Sequence, residues 1–454
     1  MIAVVVSRAD SASVHIGDRL LELADWDELT DDSRADADGG GTYYRHGEFE
    51  LREFDELHIE LGHTDARSSS SGQATPDNVA DAFSETPSFV AFVSRHSGET
   101  GPLLTAHFTG NFGPAEYGGD PSELARTCPN AQKRVVDALA EHAPEEYDVG
   151  IECTHHGPTD TGAPSMFVEL GSGESEWDDP AGARAVASAV LDLSGVAADR
   201  ERQLVGFGGG HYAPRFTRIV RETDWAVGHV GADWQLEAMG DPAANRDVIR
   251  RAFEMSDAEY AVVDRDHPEL EAVLDELGYR VVGESWVREA TGVSLSLLDR
   301  LESDLSPVED GLRLGEREGP EYDVVSLPDD LLSEAGGVDA ESALAAVHDR
   351  SVAYETVDGG TKARGRAALP EEGAYDGVVA ALADVLRGKY DSVERTERAV
   401  VGRREAFDPS AAAELGVPEG PAFGKLSAGR PVEVAGKTVE PEDVRTEQRV
   451  VFKV

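Results

Sequence analysis

Short apolar segments alternate with helical segments along most of this chain, and this alternation limits the folds that it can adopt. Ile2–Ser7, Phe89–Ser94 and Gln203–Phe207 are predicted strands, whereas Ser11–Leu23 and Pro180–Leu193 have the spacing of helices. Such alternation is typical of α/β proteins, in which helices cover a sheet. We therefore predict a three-layer α/β fold with a mixed, largely parallel sheet.

Polar and glycine-rich residues follow six of the predicted strands. They are His96, His107–Asn111, Glu152–His156, Gly171–Ser175, Gly208–His211 and His229. Ligands of open α/β sheets bind beyond the carboxyl ends of the strands. We therefore expect these residues to meet at one edge of the sheet.

Near residue 288 the alternation of predicted strands and helices becomes less regular, and histidines become less frequent. We predict a catalytic domain over residues 1–288, with a polar insertion at about 64–88, and a C-terminal accessory α+β region over 290–454. Val432–Val439 is a predicted hairpin with Ala-Gly at its turn. Leu57–Leu61 is a predicted strand, and Ser122–Ala140 a predicted helix that Pro129 kinks or restarts.

The chain is strongly acidic, with 89 Asp and Glu against 41 Lys and Arg and a net charge of -48. Self-repulsion of this size destabilises a protein in dilute salt, but the Debye length falls to about 3 Å at 1 M. The composition is therefore typical of salt-loving archaea and bacteria. Because acidity then serves solvation, it does not exclude a nucleic-acid partner, and only local basic residues such as Arg95, Arg215 and Arg218 are informative.

Cysteine content and hydropathy limit the compartment. Two cysteines, Cys128 and Cys153, cannot form a disulfide framework. The apolar N-terminal run is too short for a signal peptide, and no run approaches the ~20 apolar residues of a membrane span. We expect a cytoplasmic protein that does not enter a membrane.

The segment Glu152–His156 carries one carboxylate, one thiol and two imidazoles, and Gly157-Pro158 follows it. Neighbours on a strand point to opposite faces, so His155 and His156 can share a site only where the backbone turns. The segment indicates a general-base or metal-binding cluster, with Glu152 and His155 as candidate catalytic residues. The alternative is one functional histidine beside one that satisfies backbone groups.

Two glycine-rich strand exits are candidate substrate-binding elements. The N–H groups of Gly208–Gly210 could hold an oxyanion beside His211, a third candidate catalytic residue. The alternative is a tight turn demanded by packing. Further candidate substrate contacts are Asn111, Glu169, Gly171, Ser172, Tyr212 and Arg215, of which Glu169 could bind an ammonium group or a ribose hydroxyl.

Four histidines are candidate metal ligands: His96, His107, His156 and His229. Catalytic zinc is typically held by three protein ligands with one open position. A lone histidine at a strand end can equally be structural. No G-x-S-x-G nucleophile motif is present. If the chain is a hydrolase, activated water is therefore the expected nucleophile.

Several strings resemble the archaeal and plant-type D-aminoacyl-tRNA deacylase family, in order and spacing over residues 1–285. They are Ser94-Arg95-His96, Gly110-Asn111-Phe112-Gly113, Tyr117-Gly118-Gly119, Glu152-Cys153-Thr154-His155-His156-Gly157-Pro158-Thr159, Phe167-Val168-Glu169-Leu170-Gly171-Ser172, Gly208-Gly209-Gly210-His211-Tyr212-Ala213-Pro214-Arg215 and Gly228-His229. The resemblance implies hydrolysis of the ester between a D-amino acid and the terminal ribose of tRNA. It also implies zinc as cofactor and a fold like nucleoside phosphorylases and peptidyl-tRNA hydrolase.

The expected partner is therefore the 3′ end of D-aminoacyl-tRNA, with no DNA partner and a monomer favoured. Two alternatives remain open. One is a nucleoside phosphorylase or hydrolase on the related fold, which needs a basic phosphate pocket. The other is a tRNA-end or metal-binding module without catalysis.

Overall fold

A computed structural model describes residues 1–61, 78–370 and 373–454. Contacts within the chain divide it into two compact units, Met1–Thr291 and Gly292–Val454. Residues 64–77 of the predicted polar insertion lie outside the described residues. The rest of that insertion begins with a short 3₁₀ helix, Val79–Ala82, whose apolar side chains are buried.

The described residues of the first unit form twelve strands and nine α-helices. The strands are β1 Ile2–Ser7, β2 Asp27–Asp31, β3 Gly41–His46, β4 Phe49–Phe54, β5 Phe89–Arg95, β6 Leu103–His107, β7 Asp148–Ile151, β8 Ser165–Gly171, β9 Gln203–Phe207, β10 Ala226–Gly231, β11 Tyr260–Val263 and β12 Arg280–Val281. The helices are α1 Ser11–Leu23, α2 Pro129–His142, α3 Glu174–Trp177, α4 Pro180–Leu191, α5 Pro214–Glu222, α6 Asp233–Met239, α7 Arg246–Ser256, α8 Pro268–Leu277 and α9 Glu284–Glu289.

The strands of this unit form two sheets, which confirms the mixed α/β prediction. An eight-stranded sheet has the order β2-β3-β4-β1-β5-β8-β6-β7, and a four-stranded sheet has the order β10-β9-β11-β12. The second sheet is entirely parallel. In the first, β1, β4, β5 and β8 run parallel, whereas β6 is antiparallel to β8 and parallel to β7.

The reversal at β6 corrects the expectation that all six strand ends share one edge. His107, at the end of β6, pairs with Phe167 near the start of β8. His96, which follows β5, lies toward the opposite end of β8, because β5 and β8 are parallel. Short-range sequence pattern cannot reveal this, because strand order and direction depend on partners far away in sequence.

Local sequence explains where several elements begin. The Asp10 side chain caps α1 through the N–H groups of Ala12 and Ser13, and its other oxygen accepts a hydrogen bond from Arg95 N at the end of β5. Asp179 caps α4 in the same way, one residue before Pro180. Asp10 thus fixes the first helix to the strand that leads to His96.

Two predicted elements differ from the structure. The predicted helix over Ser122–Ala140 begins only at Pro129, because the preceding segment bonds elsewhere: Ala125 N donates to Thr109 O and Thr127 N to Met255 O. Pro129 therefore starts the helix. The predicted strand Leu57–Leu61 contains instead a 3₁₀ helix, His58–Glu60.

The second unit also mixes strands and helices. Its strands are β13 Leu312–Leu314, β14 Asp323–Ser326, β15 Ala353–Val357, β16 Lys362–Leu369, β17 Ser392–Thr396, β18 Ala399–Phe407, β19 Val432–Val434, β20 Lys437–Val439 and β21 Arg445–Lys453. Its helices are α10 Leu295–Asp304, α11 Asp329–Val338, α12 Ala340–His348, α13 Ala374–Leu386, α14 Pro409–Glu414 and α15 Pro421–Ser427.

The strands of this unit form three antiparallel sheets, ordered β13-β15-β16-β14, β17-β18-β21 and β19-β20. The last pair confirms the predicted hairpin, with Ala435 and Gly436 at positive φ in its turn. Leu331, Val347, Leu382 and Phe452 belong to the apolar core of the unit. Over the described residues of the whole chain, no helix has the length and apolarity needed to cross a membrane.

Candidate active site

Three adjacent strands present a row of polar side chains at the centre of the eight-stranded sheet. Ser94 of β5 pairs with Glu169 of β8, and Glu169 pairs with Thr105 of β6. Ser94 Oγ donates to Glu169 Oε1 at 2.7 Å. Thr105 Oγ1 donates to Glu152 Oε1 at 2.5 Å, and Glu152 N donates to Ala106 O. The sheet thereby places two buried carboxylates side by side.

Glu152 is the centre of this arrangement, and its side chain is fully buried. Its Oε2 lies 2.7 Å from Nε2 of His211 and 4.0 Å from Nε2 of His155. Its Oε1 lies 3.1 Å from Nδ1 of His96. Burial alone would raise the pKa of Glu152, but the hydrogen bonds from His211 and His96 outweigh it and hold that pKa well below its usual value. Glu152 is therefore a carboxylate.

Glu169 is the second carboxylate, and its oxygens are already engaged. Its Oε2 lies 3.5 Å from Nδ1 of His96, and its Oε1 lies 3.4 Å from Nε2 of His107. Burial opposes the charge on both imidazoles, but Glu152 and Glu169 raise the pKa of His96 to about 10 and also raise the pKa of His107. Two buried negative charges thus face two imidazolium groups, and Glu169 has little capacity left for a substrate ammonium.

His107, His155 and His156 form a compact group of imidazoles. Their ring centroids lie 4.2, 4.8 and 4.4 Å apart. Burial lowers the pKa of His155 well below its usual value and that of His156 to about 4, so both are neutral. His156 has a φ of 47°, and this turn brings His155 and His156 to the same site despite their adjacency.

The same three histidines share one hydrogen-bonding pattern. The Nδ1 atoms of His107, His155 and His156 lie 3.0, 2.8 and 2.6 Å from the carbonyls of Phe108, Cys153 and Gly157. In the neutral His155 and His156, Nδ1–H donation to a carbonyl leaves Nε2 as the lone-pair nitrogen, whereas Nε2 of the His107 imidazolium carries a proton that faces Glu169. Nε2 of His107 is buried, and its contact with Glu169 Oε1 at 3.4 Å is an ion pair that lacks the alignment of a hydrogen bond.

The cluster contains three sets of possible metal ligands, and within each set the ligand atoms lie within 4.8 Å of one another. The sets are His107, His155 and His156; Cys153, His155 and His211; and His96, Glu152 and Glu169. The first set has the nitrogen-only composition of a three-histidine zinc site. The second includes a thiol whose pKa burial raises, and the third is already paired internally. The three-histidine set is therefore the best fit to a metal ion.

His211 reaches the cluster from the other sheet, on the turn that follows β9. Cys153 N donates to its carbonyl at 2.8 Å, and its Nδ1 lies 3.5 Å from Cys153 Sγ. Gly208 and Gly209 have φ of 86° and 82°, which favour glycine. Their N–H groups donate to Gly231 O and to Asp233 Oδ1, so they do not face the site as oxyanion donors.

The chain matches one known family. The family model for D-aminoacyl-tRNA deacylase matches residues 83–282. A protein of that name from Halorubrum lacusprofundi is 57% identical over 477 residues, covering 100% of this chain and 97% of its own. Another from Natronomonas pharaonis is 55% identical and covers 98% of each chain. The chain belongs to the D-aminoacyl-tRNA deacylase family.

One solved structure resembles part of this member of the deacylase family. It is a crystal structure of a conserved protein of unknown function, 30% identical, with a TM-score of 0.54. The match covers 99% of that chain but only 65% of this one. The likeness supports the mixed α/β fold.

Two predicted site residues of this deacylase-family chain lie outside the histidine cluster. His229 is buried in β10, where its Nδ1 lies 3.0 Å from Thr154 Oγ1 and its Nε2 lies 2.8 Å from Ala125 O. Burial lowers its pKa to about 3, so it is a neutral structural residue with both ring nitrogens engaged. Arg215 is engaged by Asp264 at 3.2 Å and by Glu284 at 3.5 Å.

Three further predicted residues make local contacts in the structure. Asn111 Nδ2 donates to Gly118 O and Asp120 O, and Ser172 Oγ donates to Gly101 O. A Cβ on Gly171 would lie 2.5 Å from the Cβ of His96, so this position must be glycine for His96 to pack there.

Sequence reasoning missed Thr105 and Phe167. Phe167 stacks on His107, with ring centroids 5.1 Å apart, and packs edge-on against His156 at 4.9 Å. A usable signal existed, because residues two apart on a strand share a face. Thr105 precedes His107 by two residues on β6, and Phe167 precedes Glu169 by two on β8.

Proposed function

We propose that this protein hydrolyses the ester that joins a D-amino acid to the terminal ribose of tRNA, with zinc as cofactor. The observation that carries the proposal is the cluster of five histidines around the two buried carboxylates Glu152 and Glu169, in a chain of the D-aminoacyl-tRNA deacylase family. Such a cluster supplies acid–base groups and metal ligands, both of which ester hydrolysis uses.

His107, His155 and His156 are the proposed zinc ligands. Each has its Nδ1 engaged by a backbone carbonyl, which orients Nε2 toward the shared space. His107 would release its proton on coordination, because a ligand nitrogen must be deprotonated. Zinc bound there would supply Lewis-acid polarisation of the ester carbonyl.

Glu152 and His211 are the proposed proton-handling pair. Glu152 Oε2 accepts the Nε2 proton of His211 at 2.7 Å, and Nδ1 of the same ring lies 3.5 Å from the Cys153 thiol. His211 is also the more exposed partner, with a third of its side chain accessible. We assign to the Glu152–His211 pair the uptake of the proton of the attacking water and the delivery of that proton to the leaving ribose oxygen.

The loop that would bind phosphate in a nucleoside phosphorylase is already occupied by a side chain of this protein. The N–H groups of Ser172 and Gly173 both donate to Oε2 of Glu176, at 3.3 and 2.9 Å. A carboxylate of the chain itself thus takes the position that a phosphate would need. This arrangement favours ester hydrolysis over the nucleoside phosphorylase alternative.

Deacylation of D-tyrosyl-tRNA and L-tyrosyl-tRNA in molar KCl tests the proposal. We expect rapid loss of the D-ester alone, abolished by a chelator and restored by zinc. If the D-ester is still hydrolysed in the presence of the chelator, the deacylase activity is retained and zinc is not its cofactor. No turnover of either ester would contradict the proposed function and leave the binding-module alternative.

Zinc content should distinguish two histidines that look alike in sequence. We expect His107→Ala to lose most bound zinc, whereas His229→Ala keeps it and lowers the free energy of unfolding by about 1–3 kcal/mol, because Thr154 and Ala125 lose a buried hydrogen-bond partner. Metal analysis of both purified variants, with circular dichroism as a check on folding, measures this. Equal zinc loss in both would contradict the ligand assignment.

We further propose that the protein acts in the cytoplasm as a monomer on the 3′ end of tRNA. The likeness of its catalytic unit to nucleoside phosphorylases and peptidyl-tRNA hydrolase stays a prediction.

A further inference from the structure

Among the described residues, three of the large apolar side chains that are exposed to solvent are aromatic. Tyr117, Tyr212 and Trp234 have 68%, 38% and 49% of their surface accessible. Aromatic rings are usually covered, because covering one removes a large apolar area from water. All three belong to segments that are bonded directly to the histidine cluster.

Tyr212 stands beside two histidines of the cluster. Its ring centroid lies 5.0 Å from that of His211 and 5.7 Å from that of His96. Its hydroxyl lies 3.4 Å from Nε2 of His96. One edge of the ring is thus held against the cluster, while part of the ring stays accessible.

Trp234 lies in the first turn of α6, on the other side of Cys153. Burial raises the pKa of the Cys153 thiol, and the indole lies close enough to that thiol to lower its pKa in part. The neighbouring residues hold the turn in place: Asp233 accepts from Gly209 N, and Gln235 donates to Thr154 O. The backbone that carries Trp234 is therefore fixed to the segment that carries His155.

Tyr117 lies on the turn between β6 and α2. Its carbonyl accepts a hydrogen bond at 3.0 Å from Gly157 N, the residue after His156. A Cβ on Gly157 would lie 2.4 Å from Gly119 N, so the two segments are in backbone contact. The turn is held closely although the Tyr117 ring is open to solvent.

The charges around these rings do not favour phosphate binding. Tyr117 follows Glu116, and Trp234 follows Asp233. Arg218, on the helix that follows Tyr212 in sequence, is paired in two hydrogen bonds with Glu284, at 2.8 and 2.7 Å. Stacking of a base on an aromatic ring needs no positive charge and contributes about 1–3 kcal/mol per base.

We propose that Tyr117, Tyr212 and Trp234 form a stacking platform for the unpaired bases at the 3′ end of tRNA. The proposal rests on the proposed function, which requires the terminal ribose to reach the histidine cluster. Stacking would hold the bases beside that cluster without phosphate contacts, and its strength would depend little on salt. That property suits a chain of net charge -48 at high ionic strength.

Steady-state deacylation of D-tyrosyl-tRNA by Tyr117→Ala and Trp234→Ala tests the platform. We expect KM to rise about tenfold for each variant with kcat nearly unchanged, since about 1.4 kcal/mol corresponds to a factor of ten. Tyr117→Phe and Trp234→Phe keep a ring and should restore most of the affinity. Val14→Ala, at an exposed apolar position on α1, is the matched control and should leave KM unchanged.

Binding of the trinucleotide CCA, followed by tryptophan fluorescence, separates the platform from the proposed function. We expect binding by the wild type that weakens in Tyr117→Ala and changes little between 1 and 3 M KCl. Aromatic-dependent binding of CCA without turnover of D-tyrosyl-tRNA would retain the platform and overturn the function. Turnover with unchanged KM in both alanine variants would retain the function and overturn the platform.

Discussion

Glu152→Gln is expected to lower kcat for D-aminoacyl-tRNA by about 10²–10⁴-fold, the range of a lost acid–base group. The substitution keeps the shape of the side chain but removes its charge. His211 then loses the acceptor that holds its Nε2 proton at 2.7 Å, and His96 loses one of its two carboxylate partners. Both effects disturb proton transfer, whereas substrate contacts stay in place, so KM should change little. Single-turnover deacylation at saturating enzyme measures the chemical step directly.

The matched control for this prediction is Glu174→Gln, an exposed carboxylate in the first turn of α3. It removes the same charge and should keep wild-type kcat in the same KCl. Circular dichroism of Glu152→Gln should retain the wild-type spectrum, because Thr105 and the backbone of Ala106 still hold the segment. If Glu152→Gln keeps more than a tenth of wild-type kcat, Glu152 is not part of the pair that transfers the proton.

Arg52→Met is expected to lower the free energy of unfolding by about 3–5 kcal/mol, the cost of leaving a buried charge without its partner. Arg52 is 2% exposed, and its Nε donates to Glu50 Oε1 at 2.7 Å in a fully buried pair. Its Nη1 also donates to Asp31 Oδ2 and Gly39 O, at 2.8 and 2.7 Å. Methionine fills a similar length but supplies no donor, so Gly39 O loses this hydrogen bond and the buried Glu50 keeps only Ser84 and the more exposed Arg45 as partners. Thermal or denaturant unfolding in molar KCl measures the loss.

Arg8→Met provides the comparison for Arg52→Met. Arg8 also has three carboxylate partners, Asp36, Glu53 and Asp55, but its side chain is 30% exposed. Surface ion pairs contribute about 0–1 kcal/mol, and concentrated salt screens them further. A similar loss of stability in both variants would mean that burial does not set the strength of the Arg52 pair.

The sequence was sufficient to predict the class of fold and most of the residues that meet. His96, His107 and Glu152 each follow or end a strand, and strand ends are where α/β proteins place ligands. The pairing of these residues was not predictable, because it depends on β6 running against β8. The reversal lets Thr105 and Glu169 meet in mid-strand, away from either strand end.

His107 and His229 illustrate the limit more sharply. Both are histidines in apolar strands, and nothing local separates them. β6 directs His107 to Glu169, whereas β10 directs His229 to Thr154 and Ala125. The difference lies in which neighbour each strand packs against, and that information is spread over the whole unit.

The construction of the cluster from two sheets ties activity to how those sheets are docked. The eight-stranded sheet supplies Glu169 and His107, while His211 arrives from the four-stranded sheet, where Cys153 N holds its carbonyl. We expect dilution of salt to strengthen repulsion across the acidic molecule and to loosen the contact between the two sheets before the hydrogen bonds within each sheet break. A reversible loss of activity at low salt would then precede unfolding, and activity would return when the salt concentration is restored.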